Sequence, residues 1–543
     1  MNRLRLLVEE PLAHAVGGRR RHDRADRVVP LLLFVITLSY MAFWPHDILP
    51  SDEGFFLYEA KRLLAGAVFY RDFFDNVTPL AWYLMAVLFR VFGTTMETAR
   101  ISMAFLHGAI VALVYLASRA VGVRRSLSIA AALAHPAICY RVLPSASPHW
   151  LSAFLMLVML LLVLYRPAAA GWWWPLLLGF LAGVLIGTQQ QKGLAMAVGA
   201  GAVIVADDRF GIGRGRLTVV LAWFVAGVSI VVAPLLLALC ITAGFDDVFY
   251  SLVVFPLRQY RPFHTAVAGW GFHVPVFTSL FPWLLPYAPI LFEYGVPAVL
   301  TVALVRLARA ALAGAGARST RDIAMLTAWG GFTVLSTWYV PNYTHLGLVG
   351  PVFMVLMAEN LEWTFHTVLG RGRLLRAAGY VLTCLLLVAL GIQLELNMHL
   401  ERRLYPFPHT TAFGRIDFAN RDEPRLVATL RKLVKREVPS REIFAYPSYA
   451  ALYLMTGTVN PTRYQLLLMG YNSPAQVEET IDMLERRKVA YVAVLPFAFI
   501  SWDTDPVVRY LALHYDHVDF GARNRPSPYM LLRRRASDVP PVP

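Results

Sequence analysis

Long apolar runs separated by short arginine-rich turns recur along most of this chain, and no other feature restricts its fold as much. Runs such as 151–165 and 374–396 approach the roughly 20 apolar residues that a helix needs to cross the hydrocarbon core of a bilayer. Charged residues make up only 16% of the 543, and hydrophobic ones 57%; a soluble domain carries about 25% charged residues. The expected class is therefore a polytopic α-helical membrane protein.

A net charge of +15 would raise the question of nucleic acid in a soluble protein. Here the basic residues gather in short turns between apolar runs, as the positive-inside rule requires, so membrane lipids are the expected partner and nucleic acid is not. All but Lys61, Lys192, Lys432, Lys435 and Lys488 are arginines, a bias in keeping with a GC-rich bacterial genome. Cys139, Cys240 and Cys384 fall in or beside apolar segments without metal or disulfide spacing, and read as small hydrophobes. The stretch from Arg19 to Arg27 precedes an apolar run with no small-residue cleavage pattern, so the first helix is expected to be retained.

Loop charge sets the topology. Arg19, Arg20, Arg21, Arg24 and Arg27 hold residues 1–27 in the cytoplasm, and a first span over 28–44 then emerges outside. The next basic turn, Arg119 with Arg124 and Arg125, belongs inside again, so only one of the apolar stretches 80–92 and 98–117 can cross. The first is short, contains Arg90 and ends at Gly93; it reads as an interfacial or re-entrant helix within a long external loop, 45–97. Further spans are expected over 127–142, 150–165, 173–188, 194–206, 217–243, 286–307, 323–340, 346–363 and 377–396. That makes about eleven crossings, with Arg166, Arg209, Arg214, Arg216, Arg306, Arg309, Arg371, Arg373 and Arg376 all on one side. Residues 28–396 would form the membrane domain. Residues 397–543 change to mixed polar composition, with helical periodicity over 423–437 and 474–488 and short β-type runs at 442–445, 489–495 and 529–532. This is the pattern of an external α/β domain. No internal repeat is evident, which counts against transporters built from inverted repeats.

Charge at a membrane face is expensive unless it is used. The pair Asp52-Glu53 follows the first span within a few residues. By itself it could be a helix start, an acid offsetting the positive end of the helix dipole. Lys192 stands at the tip of an external hairpin, where it reads either as a snorkelling lysine or as a phosphate ligand. Arg258 and Arg261 lie outside the positive-inside pattern, suited to bidentate phosphate contacts or to lipid headgroups. Tyr343 and His345 open a late span, where an interfacial aromatic belt is the ordinary reading. Glu293 lies near the external mouth and takes no assigned role. No His, Asp or Glu cluster has metal-site spacing, and no Gly-rich nucleotide loop is present.

The order Asp52-Glu53-Gly54, Tyr58, Leu63-Leu64-Ala65-Gly66, Tyr70-Arg71-Asp72-Phe73, Thr78-Pro79-Leu80, Phe92-Gly93 and Ala99-Arg100 resembles the first external loop of the GT-C glycosyltransferases. The protein O-mannosyltransferases and the lipid A aminoarabinose transferases are the members it suggests. The resemblance implies inverting transfer of a sugar from a polyprenyl-phosphate donor to an acceptor hydroxyl of a cell-envelope glycan, lipid or protein. It makes Asp52 the general base, with Glu53 supporting it or the acceptor. Lys192, Arg258, Arg261, Tyr343 and His345 become the candidates for holding the donor phosphate. Where relatives carry a further acid on the second external loop, this chain has Pro144-Ser145-Ala146-Ser147-Pro148-His149. No cofactor is required by these residues, and use of a divalent cation is left open. The implied place is a bacterial plasma membrane, with the site on its extracytoplasmic face. A transporter or flippase of lipid-linked glycans, and a non-catalytic GT-C-like assembly partner, are the alternatives.

Overall fold

The structure is a computed structural model and describes residues 24–166, 171–209, 217–263, 290–312, 317–340, 342–369, 373–495, 503–522, 527 and 529–536. The cytoplasmic segment expected before residue 24 and the start of the 286–307 span lie outside the described residues. Among the described residues five helices are long and apolar enough to cross a membrane: α1 (Arg24–Ala42), α4 (Met96–Ala120), α9 (Leu217–Ala243), α10 (Gly295–Leu312, with the turn before it) and the apolar part of α14 (Arg373–Leu404). Between them run the helices α5 (Arg125–Ala134), α6 (Pro148–Leu164), α7 (Trp173–Thr188), α8 (Gln190–Arg209), α11 (Ala317–Leu335), α12 (Tyr343–Leu348) and α13 (Gly350–Thr364).

Lipid gives helices little hydrophobic reason to associate, so close approach at small residues matters. At the α7–α9 contact, a Cβ on Gly179 would strike the Phe224 carbonyl and one on Gly227 would strike that of Leu176. Charges inside the bundle are paired. Asp26 accepts from Arg119 and from the Tyr115 hydroxyl, Glu359 pairs with Arg306, and Glu401 pairs with Arg141.

Helices α2 (Asp52–Leu64) and α3 (Leu80–Phe92) lie in the segment between α1 and α4. At 13 residues, α3 spans roughly 20 Å. It buries Ala81, Trp82, Met85 and Phe89 and leaves Leu84, Val87, Val91 and Phe92 exposed, so it is apolar on both sides but short.

After α14 the chain builds two sheets. A hairpin pairs β1 (Phe407–Thr411) with β2 (Gly414–Phe418). A four-stranded sheet has the order β3-β4-β6-β5, with β3 (Phe444–Tyr446) parallel to β4 (Tyr491–Val494), and β6 (Met530–Arg534) antiparallel to both β4 and β5 (Tyr515–Val518). Helices α15 (Asp422–Glu437), α16 (Ala450–Thr456) and α17 (Pro474–Arg486) connect them. The β1–β2 hairpin carries no turn signal in the sequence. Its two-residue link is Ala412-Phe413 rather than a Gly-containing pair, and tertiary contacts hold it: Ala412 N–H donates to Met455, Met96 N–H donates to the Phe413 carbonyl, and the Phe413 ring meets Phe89.

This α/β unit is seated on α2. Gly54 allows the seat, because a Cβ there would collide with the Ala451 backbone of α16. Tyr58 stacks on Tyr453 at 4.7 Å and its hydroxyl accepts from the Asn460 N–H at 2.8 Å. On the next side of α2, Glu53 is fully buried and accepts from Arg100 of α4, from the Leu49 N–H at 3.1 Å and from the Ala146 N–H at 2.6 Å. Removing one partner of such a pair strands the other charge in the protein. Glu53→Ala is expected to destabilise the chain by roughly 3–5 kcal/mol, read as a lower thermal midpoint in detergent, while Asp52→Asn leaves that midpoint within error.

Candidate active site

Four residues of α2, Asp52, Phe55, Phe56 and Glu59, line one cavity of about 320 Å³. Their spacing of 3, 4 and 7 places them on one helix face. Glu53 is one residue on, about 100° round the helix, which is why the adjacent acids have different fates. Asp52 opens into the cavity, whereas Glu53 faces Arg100 and does not line it. Asp52 is the first residue of α2, Ser51 is its cap, and neither side chain bonds the helix's free N–H groups. The capping alternative for Asp52 therefore has no bond to support it. Although the Asp52 carboxyl is open to the cavity, protein packed around it raises its pKa above 3.8.

A carboxyl couple stands on the same wall. Glu59 and Asp75 lie beside each other on the cavity wall, close enough for each carboxyl to act on the other. Two carboxylates in contact cannot both stay charged in a desolvated place. Burial, with Asp75 beside it, holds Glu59 well above the usual carboxyl range, and burial pushes Asp75 up to about 6. Burial and the neighbouring carboxyl therefore both favour the protonated form of this pair. Asp75 is fixed by the Asn76 and Val77 N–H groups at 2.5 and 3.1 Å. Gln190, at the start of α8, bonds the Asn76 carbonyl and the Thr78 N–H.

Imidazole and phenol side chains line the same cavity. Lys192 is fully buried, and its ammonium donates to His149 Nδ1 at 2.6 Å. With Nδ1 accepting, a neutral His149 ring carries its proton on Nε2 and has an N–H to offer. His149 and His345 rings are 5.7 Å apart, and both line the cavity. Asn342 accepts from the His345 backbone N–H and from its Nδ1, which sets that ring's angle. Tyr260 and Tyr471 also line the cavity, with ring centres 6.0 Å apart.

Of the residues singled out in the sequence, Asp52 and His345 meet in this cavity, and Lys192 stands directly behind His149. Glu53 is a structural ion-pair partner. Arg258 is exposed, and Arg261 sits over the Trp338 ring at 4.8 Å; neither lines the cavity, whereas Tyr260 between them does. Tyr343 is likewise off the wall, its N–H donating to Glu293 at 3.1 Å. The sequence reading missed Glu59, Asp75, His149, Gln189, Tyr260, Gln465 and Tyr471. Only Glu59 left a signal, being on the face of α2 that Asp52 defines. Among the described residues no group of three or more His, Cys, Asp or Glu side chains is placed to hold a metal ion.

A second cavity, of about 360 Å³ and almost wholly apolar, shares Phe56, Ser147 and Pro148 with the first. It is lined by Leu84, Met85 and Leu88 of α3, Phe105 and Leu106 of α4, and Leu151 and Phe154 of α6.

No protein-family model and no curated protein sequence matches this chain. Its fold does match solved structures. ArnT from Cupriavidus metallidurans bound to undecaprenyl phosphate superimposes with a TM-score of 0.55 at 14% identity, over 95% of this chain and 98% of that one. The same protein in its apo state gives 0.57 at 13% identity, over 95% and 99%. ArnT is a lipid A aminoarabinose transferase, a GT-C enzyme. The likeness runs the whole length of both chains and is a likeness of fold.

The carboxyl couple has a thermodynamic consequence. Because Asp75 rises from 3.8 to about 6 on folding, the folded chain holds that proton more tightly than the unfolded one. The stability this confers is complete below the lower value and is lost as pH rises through the higher one. Asp75→Asn, which cannot ionise, is expected to flatten the fall in thermal midpoint between about pH 4 and pH 7. An unchanged slope in detergent would assign that titration elsewhere.

Proposed function

We propose that this chain is an inverting glycosyltransferase of GT-C type, moving a sugar from a polyprenyl-phosphate carrier to an acceptor hydroxyl at the extracytoplasmic face of a bacterial plasma membrane. The observation that carries the proposal is Asp52. It is a carboxylate open to a polar cavity that a lysine-backed histidine also lines, in a chain that folds like a transferase solved with undecaprenyl phosphate. The apolar cavity beyond Phe56 and Pro148 suits the carrier's prenyl chain, leaving its phosphate at the shared wall.

The chemistry needs one base and one anion site. Asp52 accepts the proton of the acceptor hydroxyl as its oxygen forms the bond to the anomeric carbon, and the bond from that carbon to the carrier phosphate breaks. The leaving group is a phosphate monoester, stable as an anion, so no acid must protonate it, unlike the two-carboxyl arrangement of a glycosidase. What it needs is positive charge and N–H donors. His149 Nε2, polarised by Lys192 through Nδ1, offers such a donor; the His345 Nδ1 proton is spent on Asn342, so that ring adds an N–H only when it carries a second proton. Glu53 acts from behind by holding α2 on α4, which keeps Asp52 in line.

In this reading about eleven crossings put residues 45–97 and the α/β unit outside. The acceptor is a glycan, lipid or protein hydroxyl of the cell envelope.

Asp52→Asn is expected to lower transfer by at least about 100-fold, with carrier binding and protein level unchanged. The measurement is mass spectrometry of envelope glycans from a deletion strain carrying either gene. Undiminished transfer removes Asp52 as the base. Lys192→Met is expected to cost about 100-fold. The sidedness has its own test: a cysteine at Arg71, an exposed position, should react with an impermeant maleimide added outside intact cells, and labelling only after lysis reverses the topology.

A further inference from the structure

The α/β unit contributes one wall of the polar cavity through a loop around Gln465, with Tyr464, Leu466 and Tyr471. The loop is tied down on both sides of that residue. The Tyr464 carbonyl accepts from Asn460 Nδ2 at 2.9 Å and Thr462 Oγ1 at 3.0 Å, and the Arg463 carbonyl accepts from the Phe74 N–H at 2.8 Å. Beyond it, Leu467 N–H donates to the Pro447 carbonyl and Leu468 N–H to Asn472 Oδ1, each at 2.9 Å. Gln465 is 4% exposed, yet neither its Nε2 nor its Oε1 has any hydrogen-bond partner. Buried amides are almost always bonded, and each orphaned end carries a desolvation cost. A pinned loop with one unbonded amide on a cavity wall is a preorganised recognition group whose partner is a ligand.

The chemistry of the amide narrows that ligand. Its two ends are a donor and an acceptor side by side. A phosphate oxygen, which only accepts, would satisfy the NH₂ alone. An ammonium would satisfy only the carbonyl, and a prenyl chain neither. Adjacent hydroxyls of a sugar ring both give and accept, and satisfy both ends. The rings of Phe74, Tyr464 and Tyr471 on the same side suit the C–H face of such a ring. We infer that Gln465 is a specificity-determining residue through which the α/β unit reads vicinal hydroxyls of a neutral sugar ring held in the cavity. The inference rests on the proposal that a sugar enters this cavity, and adds which residue reads it. The ring belongs either to the donor or to an acceptor glycan.

The test uses the full chain in lipid nanodiscs, with Gln465→Leu and the equally sized Gln465→Glu. The first probe is undecaprenyl phosphate, bare or carrying mannose, glucose, galactose or arabinose. The second is a panel of methyl glycosides, read by saturation-transfer NMR in the presence of the bare carrier. The variants are expected to weaken binding of the preferred sugar-loaded carrier, or of the preferred glycoside, about tenfold, and to leave the bare carrier unchanged. Weakening in the first arm assigns the ring to the donor, in the second to the acceptor. Equal sugar binding by wild type and both variants overturns the inference, as does a wild type that binds bare carrier and gains nothing from any sugar. Equal weakening for bare and loaded carrier also overturns it. A wild type that binds no carrier at all fails the glycosyltransferase proposal itself and takes this inference with it.

Discussion

The Glu53 carboxylate lies where three parts of the chain converge, with one oxygen on Arg100 and the Ala146 N–H and the other on Arg100 and the Leu49 N–H. A charge taken out of water is tolerable only when its lone pairs are met in good geometry, so this contact fixes the rotation of α2 about its axis. Once Glu53 points at α4, the helical step aims Asp52, Phe55 and Glu59 into the cavity. The loop carrying Ala146 is carried along with it, and that loop leads directly to Ser147 and His149 on the cavity wall. One buried ion pair therefore sets the relation between the acid side and the imidazole side of the site.

The third side is supplied from far along the chain. Gly54 lets α16 lie against α2, and Tyr58 joins both Tyr453 and the Asn460 backbone. These contacts, with Arg62 donating to the Thr462 carbonyl and Arg463 to that of Tyr70, place the Gln465 loop on the cavity that Asp75 also lines. The membrane helices contribute the remaining boundary, where Phe56, Ser147 and Pro148 divide a polar space from an apolar one. A lipid-linked sugar has the same division along its length.

Identity of 13–14% alongside full-length similarity to ArnT has a physical explanation. Bilayer thickness sets helix length, and apolar side chains facing lipid are interchangeable at little cost. What must be kept is sparse: small residues where helices touch, such as Gly179 and Gly227, and paired charges where they enter the bundle, such as Arg306 with Glu359.

The apolar helices, the short α3, the helices over 422–437 and 474–486 and the central strands were legible because each rests on local patterning that survives in a linear reading. Asp52 was legible for a different reason, as an acid at a helix start within an ordered set of motifs. The β1–β2 hairpin was not, since Ala412-Phe413 has no turn preference and is held by Met96, Met455 and Phe89 from elsewhere. Likewise the sequence could rank Lys192, Arg258 and Arg261 only by loop position. Which of them stands behind the cavity depends on how the α7–α8 hairpin and the loop before α6 meet, and that is a matter of packing. Hydropathy and charge alternation along the chain determined that it is a multi-helix membrane protein with an acid beyond its first helix. Only the tertiary structure decided that the acid pair splits between a strut and a cavity, that Glu59 and Asp75 meet on one wall, and that Gln465 comes from over 400 positions away (465 against 52) to line the same cavity. Local sequence carries the periodicity of an element, whereas the partners of a buried polar atom are chosen by whatever the whole fold brings within about 3 Å of it.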